Sequence, residues 1–222
     1  MTELATEPPI SPEPPPTPQS PPSPASPTFP TPRWSEGERE KIEVAWMERA
    51  TSGAARTGAI DLLVVRVGGG AHETPPKISL CPEQGVRGDR WAESKRDPEA
   101  QVSFIDRRVA ELLVVDRASM HLPGDNLVVD LDLDVESLPV GARLEVGSAL
   151  VEITAKPHAG CTKFKERLGG EVLAWINAPE HKDRRLRGVY AKIVRAGEVA
   201  VGDSVRHAVS LPGPTAGVVA VR

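Results

Sequence analysis

From Ile60 onward the chain is cut into short apolar, β-branched runs closed by glycine, proline, aspartate or asparagine, and this punctuation decides what it can fold into. The run IDLLVVRV (60–67) ends in Gly68-Gly69-Gly70, and others lie at 77–80, 101–105, 126–131, 143–146, 149–155, 189–194 and 199–205. Runs of this length and composition are strands. Helical signals are fewer. Asp106 suits the N-cap of RRVAELLVV, and the stretch 162–177 carries Phe164, Leu168, Val172, Leu173 and Ile176 at helical spacing, broken by Gly169-Gly170. Strict strand–helix alternation is missing, so a doubly wound sheet is not expected. The pattern predicts a mainly β fold, a β-barrel core with inserted helices.

The prolines bound this domain on its N-terminal side. Thirteen of the 23 lie before residue 33, where backbone donors are missing and few side chains can pack. Residues 1–33 are therefore expected to be a disordered tail of polyproline II character, either simply solvated or a PxxP ligand. Order is expected from Ser35, because Ser35-x-x-Glu38 is a capping box and Ile42, Trp46 and Arg49 follow at near-helical spacing up to Ser52. The expected organisation is thus a tail (1–33), a leader helix and linker (34–58) and one domain (59–222).

Charge and hydropathy exclude several function classes. The net charge is -4, and Glu3, Glu7 and Glu13 account for three of those charges, leaving the body close to neutral. A neutral body carries no domain-wide field for nucleic acid or anionic membrane, although a local basic pocket stays open. No run of 18 apolar residues spans a bilayer, and MTELATEPPI lacks the charged and apolar regions of a secretory signal, so a cytoplasmic chain is expected.

Motif by motif, most familiar chemistry is absent. Gly68-Gly69-Gly70 is followed by no Lys-Ser/Thr pair at Walker spacing and reads as a turn, and there is no G-x-S-x-G elbow. His158-x-x-Cys161 has no second pair to complete a structural zinc site. The informative segment is PHAGCTKFKERLGGE (157–171). Pro157 ends a strand, Gly160 loosens the approach, and Cys161 stands just before a helix, where unpaired amides favour an anion. Lys156, Lys163, Lys165 and Arg167 against Glu166 add a local surplus of positive charge. The setting suits a reactive thiolate; a small buried cysteine beside a solvated charged helix is the alternative. Cys81, before Pro82 and in no basic context, reads as structural. Two further basic groups stand out. Lys182, Arg184, Arg185 and Arg187 precede the strand RGVYAKIV, and GVRGDRW (85–91) flanks Arg87 and Asp89-Arg90 with glycine, as anion-binding loops do.

Taken in order, six segments resemble the MOSC domain family, named for the C-terminal domain of molybdenum cofactor sulfurases. They are GVRGDRW (85–91), QVSFIDRRV (101–109), PGDNLVVDLDL (123–133), LPVGARLEVGSALVEIT (138–154), PHAGCTKFKERLG (157–169) and RGVYAKIVRAGEVAVGDSV (187–205). The resemblance implies a closed β-barrel with short helices, and a cysteine, here Cys161, that carries persulfide sulfur or ligates molybdenum. It implies molybdenum cofactor (molybdopterin) as the ligand, with Arg87, Arg90, Asn126, Lys163, Arg167 and Arg187 as candidates to hold its phosphate and pterin or to fix the cysteine loop. Family members act in sulfur transfer or in reduction of N-oxygenated compounds. A non-catalytic carrier that hands the cofactor to an apo-molybdoenzyme, or a partner of a sulfurase, is the other expectation. Trp91 stands where many members have histidine, and Gly124-Asp125-Asn126 where many have Gly-Glu-Asn. Pyridoxal phosphate is associated with the family through an aminotransferase-like domain, whose lysine this sequence lacks, so desulfuration of cysteine by that route is not expected. The physical chemistry agrees: molybdenum takes soft thiolate ligands, and a phosphate-bearing pterin needs fixed cations and amide donors.

Overall fold

The computed structural model describes residues 57–94 and 96–208. The proline-rich tail and the leader helix lie outside the described residues. In chain order the strands are β1 (Thr57–Leu63), β2 (Val65–Arg66), β3 (His72–Glu73), β4 (Lys77–Cys81), β5 (Gly85–Val86), β6 (Val102–Asp106), β7 (Leu127–Val129), β8 (Arg143–Val146), β9 (Ala149–Ile153), β10 (Val189–Arg195), β11 (Gly197–Ala200) and β12 (Ser204–His207). Three seven-residue helices accompany them: α1 (Arg107–Leu113), α2 (Thr162–Leu168) and α3 (Gly170–Ile176). Seven strands close a barrel in the order β1-β12-β8-β9-β10-β6-β7, and the small sheets β11-β4-β5 and β2-β3 flank it. Every barrel pairing is antiparallel except β6 with β7, which are joined through α1. This is the mainly β barrel with inserted helices that the sequence predicts.

Two cores explain the composition of the strands. On β8, Arg143 and Glu145 face out while Leu144 and Val146 are buried, the alternation of a strand wet on one face. Strands β6 and β7 are buried throughout. Phe104, Leu127 and Val129 point into the barrel, whereas Ile105 and Val128 point outward into a second cluster with Val109 and Leu113 of α1, Phe164 and Leu168 of α2, and Val172 and Ile176 of α3. The helices therefore cover the β6–β7 face, and a strand covered on both sides reads as continuous apolar sequence. Gly188 makes the junction close: with φ near +92, a Cβ there would lie 1.9 Å from the Phe104 carbonyl oxygen.

Two predicted runs divide in the structure. The run 199–205 is two strands, because Gly202 adopts φ near +89 and Asp203 Oδ2 accepts the Ala200 amide at 2.8 Å, making a turn. The run 60–67 breaks at Val64, whose amide leaves the ladder for the Asn126 carbonyl at 2.8 Å. The stretch 162–177 is two helices, parted by Gly169 at φ near +92. Asp106 caps α1 as expected, its side chain accepting the Arg108 amide.

Candidate functional site

The loop from β9 to α2 is pressed against the helices. A Cβ on Gly160 would meet Leu173 at 2.2 Å and Phe164 at 3.1 Å, so only glycine lets the backbone pass this close. The next residue, Cys161, is thereby presented at the surface: it is exposed, occupies the N-cap position of α2, and makes no side-chain capping bond. Phe164, fully buried one turn on, anchors the helix that follows. Cys81 differs. Its thiol is half-buried and donates to Glu83 Oε2 at 2.9 Å. Alkylation by iodoacetamide at pH 7 should therefore be several-fold faster at Cys161 than at Cys81, scored by mass spectrometry of the folded chain. Equal rates would remove the distinction between the two thiols.

Arg167 ties α2 to two other segments. Its guanidinium donates to the Gly70 carbonyl at 2.7 Å and more weakly to Leu122 O at 3.4 Å, and Lys163 Nζ also approaches Gly70. The triple-glycine turn, which the sequence marks only as a turn, is thus a wall of the site. Arg167 sits in a crowd of cations: burial first, then the charges of Arg90 and Arg66, hold its pKa below the ordinary value, while Cys161 and Glu166 oppose the shift. Beside it, His72 donates Nδ1–H to the His121 carbonyl at 2.8 Å and is held down to a pKa of about 4 by burial and then by Arg167. The imidazole is neutral at physiological pH. Gly124, at φ near +84, allows His72 and Arg167 to pack against the backbone there.

Beneath the cations lies a buried polar floor. The Asp89 carboxylate accepts the Arg66 amide, Nε and Nη2 and the Trp91 amide, each at 2.9 Å, and Asn126 Nδ2 at 3.0 Å. Burial pushes this carboxyl up, but the Arg66 hydrogen bonds and charge outweigh it and hold it below its usual value. Asn126 is fully enclosed, and its amide is committed: Oδ1 faces the Ser103 amide and hydroxyl, and Nδ2 reaches the Val64 carbonyl as well as Asp89. Arg187 is also buried. It donates to Asp125 and to Pro123 O, and its guanidinium lies 4.6 Å over the Phe164 ring. His158 completes this layer, with Nε2 3.5 Å from Asp125 Oδ1 and its ring 4.0 Å from that of Tyr190. Burial, then Arg187 and Arg66, push His158 well below an ordinary imidazole, so it too is neutral.

The sequence candidates thus fall into three groups. Cys161, Lys163, Arg167 and Arg90 stand where they face one another's charges or the same turn. Asn126 and Arg187 lie below, with protein partners. Arg87 is exposed in a separate concavity beside Glu73, Lys77 and Glu198, where hydrogen bonds from Ser79 and Lys77, and last the charge of Arg87, hold the Glu198 carboxyl below its usual value. Sequence reasoning missed Arg66, Asp125 and His72, and set His158 aside as half of a zinc pair. The one signal for Arg66 is a basic residue inside the apolar stretch LLVVRV.

Across residues 96–206 the sequence matches the family model described as MOSC domain, half of the chain. The chain belongs to the MOSC domain family. Within the MOSC match lie Asn126, Cys161, Lys163, Arg167 and Arg187, while Arg66, Arg87 and Arg90 precede it. The MOSC family is linked to functions of molybdenum cofactor. Among solved structures, the chain is similar to the YuaD protein of Bacillus subtilis, at 18% identity over 67% of this chain and 94% of that one, TM-score 0.47. It is also similar to YiiM of Escherichia coli, at 17% identity over 69% and 71%, TM-score 0.45. YiiM of Geobacillus stearothermophilus matches at 13% identity over 68% and 75%, TM-score 0.42. No curated protein matches the sequence. Among the described residues, no helix is long and apolar enough to cross a membrane, and no group of three or more His, Cys, Asp or Glu is placed to hold a metal ion.

Proposed function

We propose that this MOSC-domain chain binds molybdenum cofactor with Cys161 as the protein's sulfur, and that it acts in sulfur transfer or in reduction of N-oxygenated compounds. The observation that carries this reading is the crowding of Arg90 and Arg66 on Arg167 beside an exposed thiol. Arg66 is paired with Asp89, whereas Arg167 donates only to the Gly70 and Leu122 carbonyls, and a phosphate would supply it with an opposite charge and further acceptors. The residues fit the group. Cys161 offers a soft donor free of capping bonds and would be a protein ligand to the metal. Arg167, Arg90 and Lys163 would hold the phosphate, with the Gly68–Gly70 turn leaving room for close approach. When bound, the cofactor supplies a redox-active, sulfur-binding centre.

The remaining residues position rather than react. Arg187 and Phe164 hold the underside of the thiol helix, and Asp89 with Asn126 fixes Arg66. Exposure of Cys161 also suits the carrier reading, in which the cofactor passes to an apo-molybdoenzyme or receives sulfur from a sulfurase partner, because the thiol is open to a second protein.

The test is metal and pterin analysis of the chain purified from a host that makes the cofactor, alongside Cys161→Ser. Molybdenum and pterin should co-purify with the wild type, and Cys161→Ser should lose at least ~90% of the molybdenum while its circular dichroism is unchanged, because a hydroxyl is a poor ligand for a thiophilic centre. Equal molybdenum content in the two proteins overturns the assignment of Cys161.

A further inference from the structure

Arg167 spreads its guanidinium between two glycines, and at the second it meets a group of the opposite kind. At Gly70 a Cβ would lie 3.7 Å from Lys163 Nζ and 3.9 Å from Arg167 Nη2, so one end of the fork stands among donors. At Gly124 a Cβ would lie 3.3 Å from Arg167 Nη1 and 3.5 Å from His72 Nε2, which places a donor and a ring nitrogen at one point. His72 opens β3, directly after the triple-glycine turn and Ala71.

The neighbours of His72 decide what that nitrogen can do. The His121 carbonyl can only accept, so the bond to it at 2.8 Å fixes the ring proton on Nδ1. Burial and then the Arg167 guanidinium, with the lesser charges of His121 and Arg66, keep the half-buried ring from taking up a second proton. Nε2 is therefore a bare acceptor. It bonds to no described residue and is not among the buried unpartnered atoms. An acceptor set among cations is mismatched to a fully ionised oxyanion, whose oxygens carry only lone pairs. It suits an oxyanion that keeps one hydrogen.

We propose that His72 Nε2 and Arg167 Nη1 form a paired acceptor and donor that selects a protonated oxyanion, a phosphate or phosphate monoester with one P–O–H, over an oxyanion without hydrogen such as sulfate. Arg167 and Lys163 hold the ionised oxygens, and the hydroxyl donates to His72. A phosphate monoester loses its last proton near pH ~6, so the protonated form remains accessible at neutral pH. The proposal rests on the reading of the Arg167 cluster as a phosphate site, and adds which form of the anion is taken and which residue selects it.

Calorimetric titration of the full chain, from a host that makes no cofactor, with inorganic phosphate, arsenate and sulfate at one ionic strength tests it. Phosphate and arsenate keep a hydrogen on oxygen at pH 7 and should bind roughly ten- to a hundredfold tighter than sulfate, the span of one hydrogen bond involving a charged group. His72→Lys, which puts a donor where the acceptor stood, should erase the preference. Imidazole 15N NMR of the phosphate complex should show Nε2 still unprotonated. Sulfate binding as tightly as phosphate in the wild type, an imidazolium signal in the complex, or a preference kept by folded His72→Lys would each overturn the role of His72 and leave the anion site standing. A wild type that binds none of the three anions overturns the anion site as well. The wild-type outcomes need no variant, so misfolding of His72→Lys would not hide them.

Discussion

Arg167→Glu should strip nearly all molybdenum cofactor from a chain that stays folded, while Arg87→Glu should leave cofactor content close to the wild type. Both substitutions change net charge equally, so a general field effect would move both alike. Removing one charge-assisted contact to a phosphate costs about 1.5–3 kcal/mol, or roughly one to two decades of affinity. Reversal does more. The new carboxylate would replace a cation within the field of Arg90 and Arg66 and would repel an anionic group. The fold loses the bonds to Gly70 O and Leu122 O, of which only the first is short. A few degrees of melting temperature is therefore the expected structural cost. Arg87 lies instead with Glu73, Lys77 and Glu198. Parallel loss of molybdenum in both variants would leave the Arg167 cluster without a special role.

The strand pattern was legible wherever a run had one clear environment. β8, β9 and β10 alternate buried positions with half-buried or exposed ones, and β6 is buried throughout because helices cover its outer face. The two-residue ladders β2–β3 and β4–β5 were not legible, since two residues carry no periodicity and the pairs form only because the turns between them bring the chain back. The thiol segment announced itself by local chemistry, glycine then cysteine then a run of cations on one short helix.

The polar floor was hidden for a different reason. Asp89 reaches Arg66 across 23 residues and Asn126 across 37, and Asp125 meets Arg187 across 62. Such pairs are made by barrel closure, and local sequence shows only that a charge stands among apolar neighbours. The same closure reassigns candidates. Asn126 was a candidate, through the resemblance, to hold the cofactor or to fix the cysteine loop, and in the fold its donor and acceptor groups meet Val64, Ser103 and Asp89.

Arg187→Met should be among the most destabilising single changes in the protein, at about 3–5 kcal/mol, the usual cost of leaving one partner of a buried ion pair behind. Asp125 is 1% exposed, its Oδ1 has no hydrogen-bond partner, and Arg187 is the cation bonded to Oδ2. Burial already pushes the Asp125 carboxyl up, with Arg187 as the main opposing charge, so without the guanidinium the carboxyl would take up a proton. The cost should then fall as pH falls toward the carboxyl range. In the wild type, His158 is kept neutral in the fold but gains a proton in the unfolded chain below about 6.5. At this residue the unfolded state then binds more protons, so the stability that His158 contributes drops on acidification. The double variant Arg187→Met/Asp125→Leu should recover much of the loss, because an apolar pair of similar volume replaces the buried ions. Urea denaturation of the four proteins of this cycle at pH 7.5 and 5.5 measures both effects, and a double variant whose loss equals the sum of the two single losses would show that Arg187 and Asp125 are not coupled. Since Arg187 also lies over Phe164, the double variant has a second use. If it folds yet Cys161 alkylates at a changed rate, the guanidinium contributes to holding the thiol helix in place beyond its pairing with Asp125.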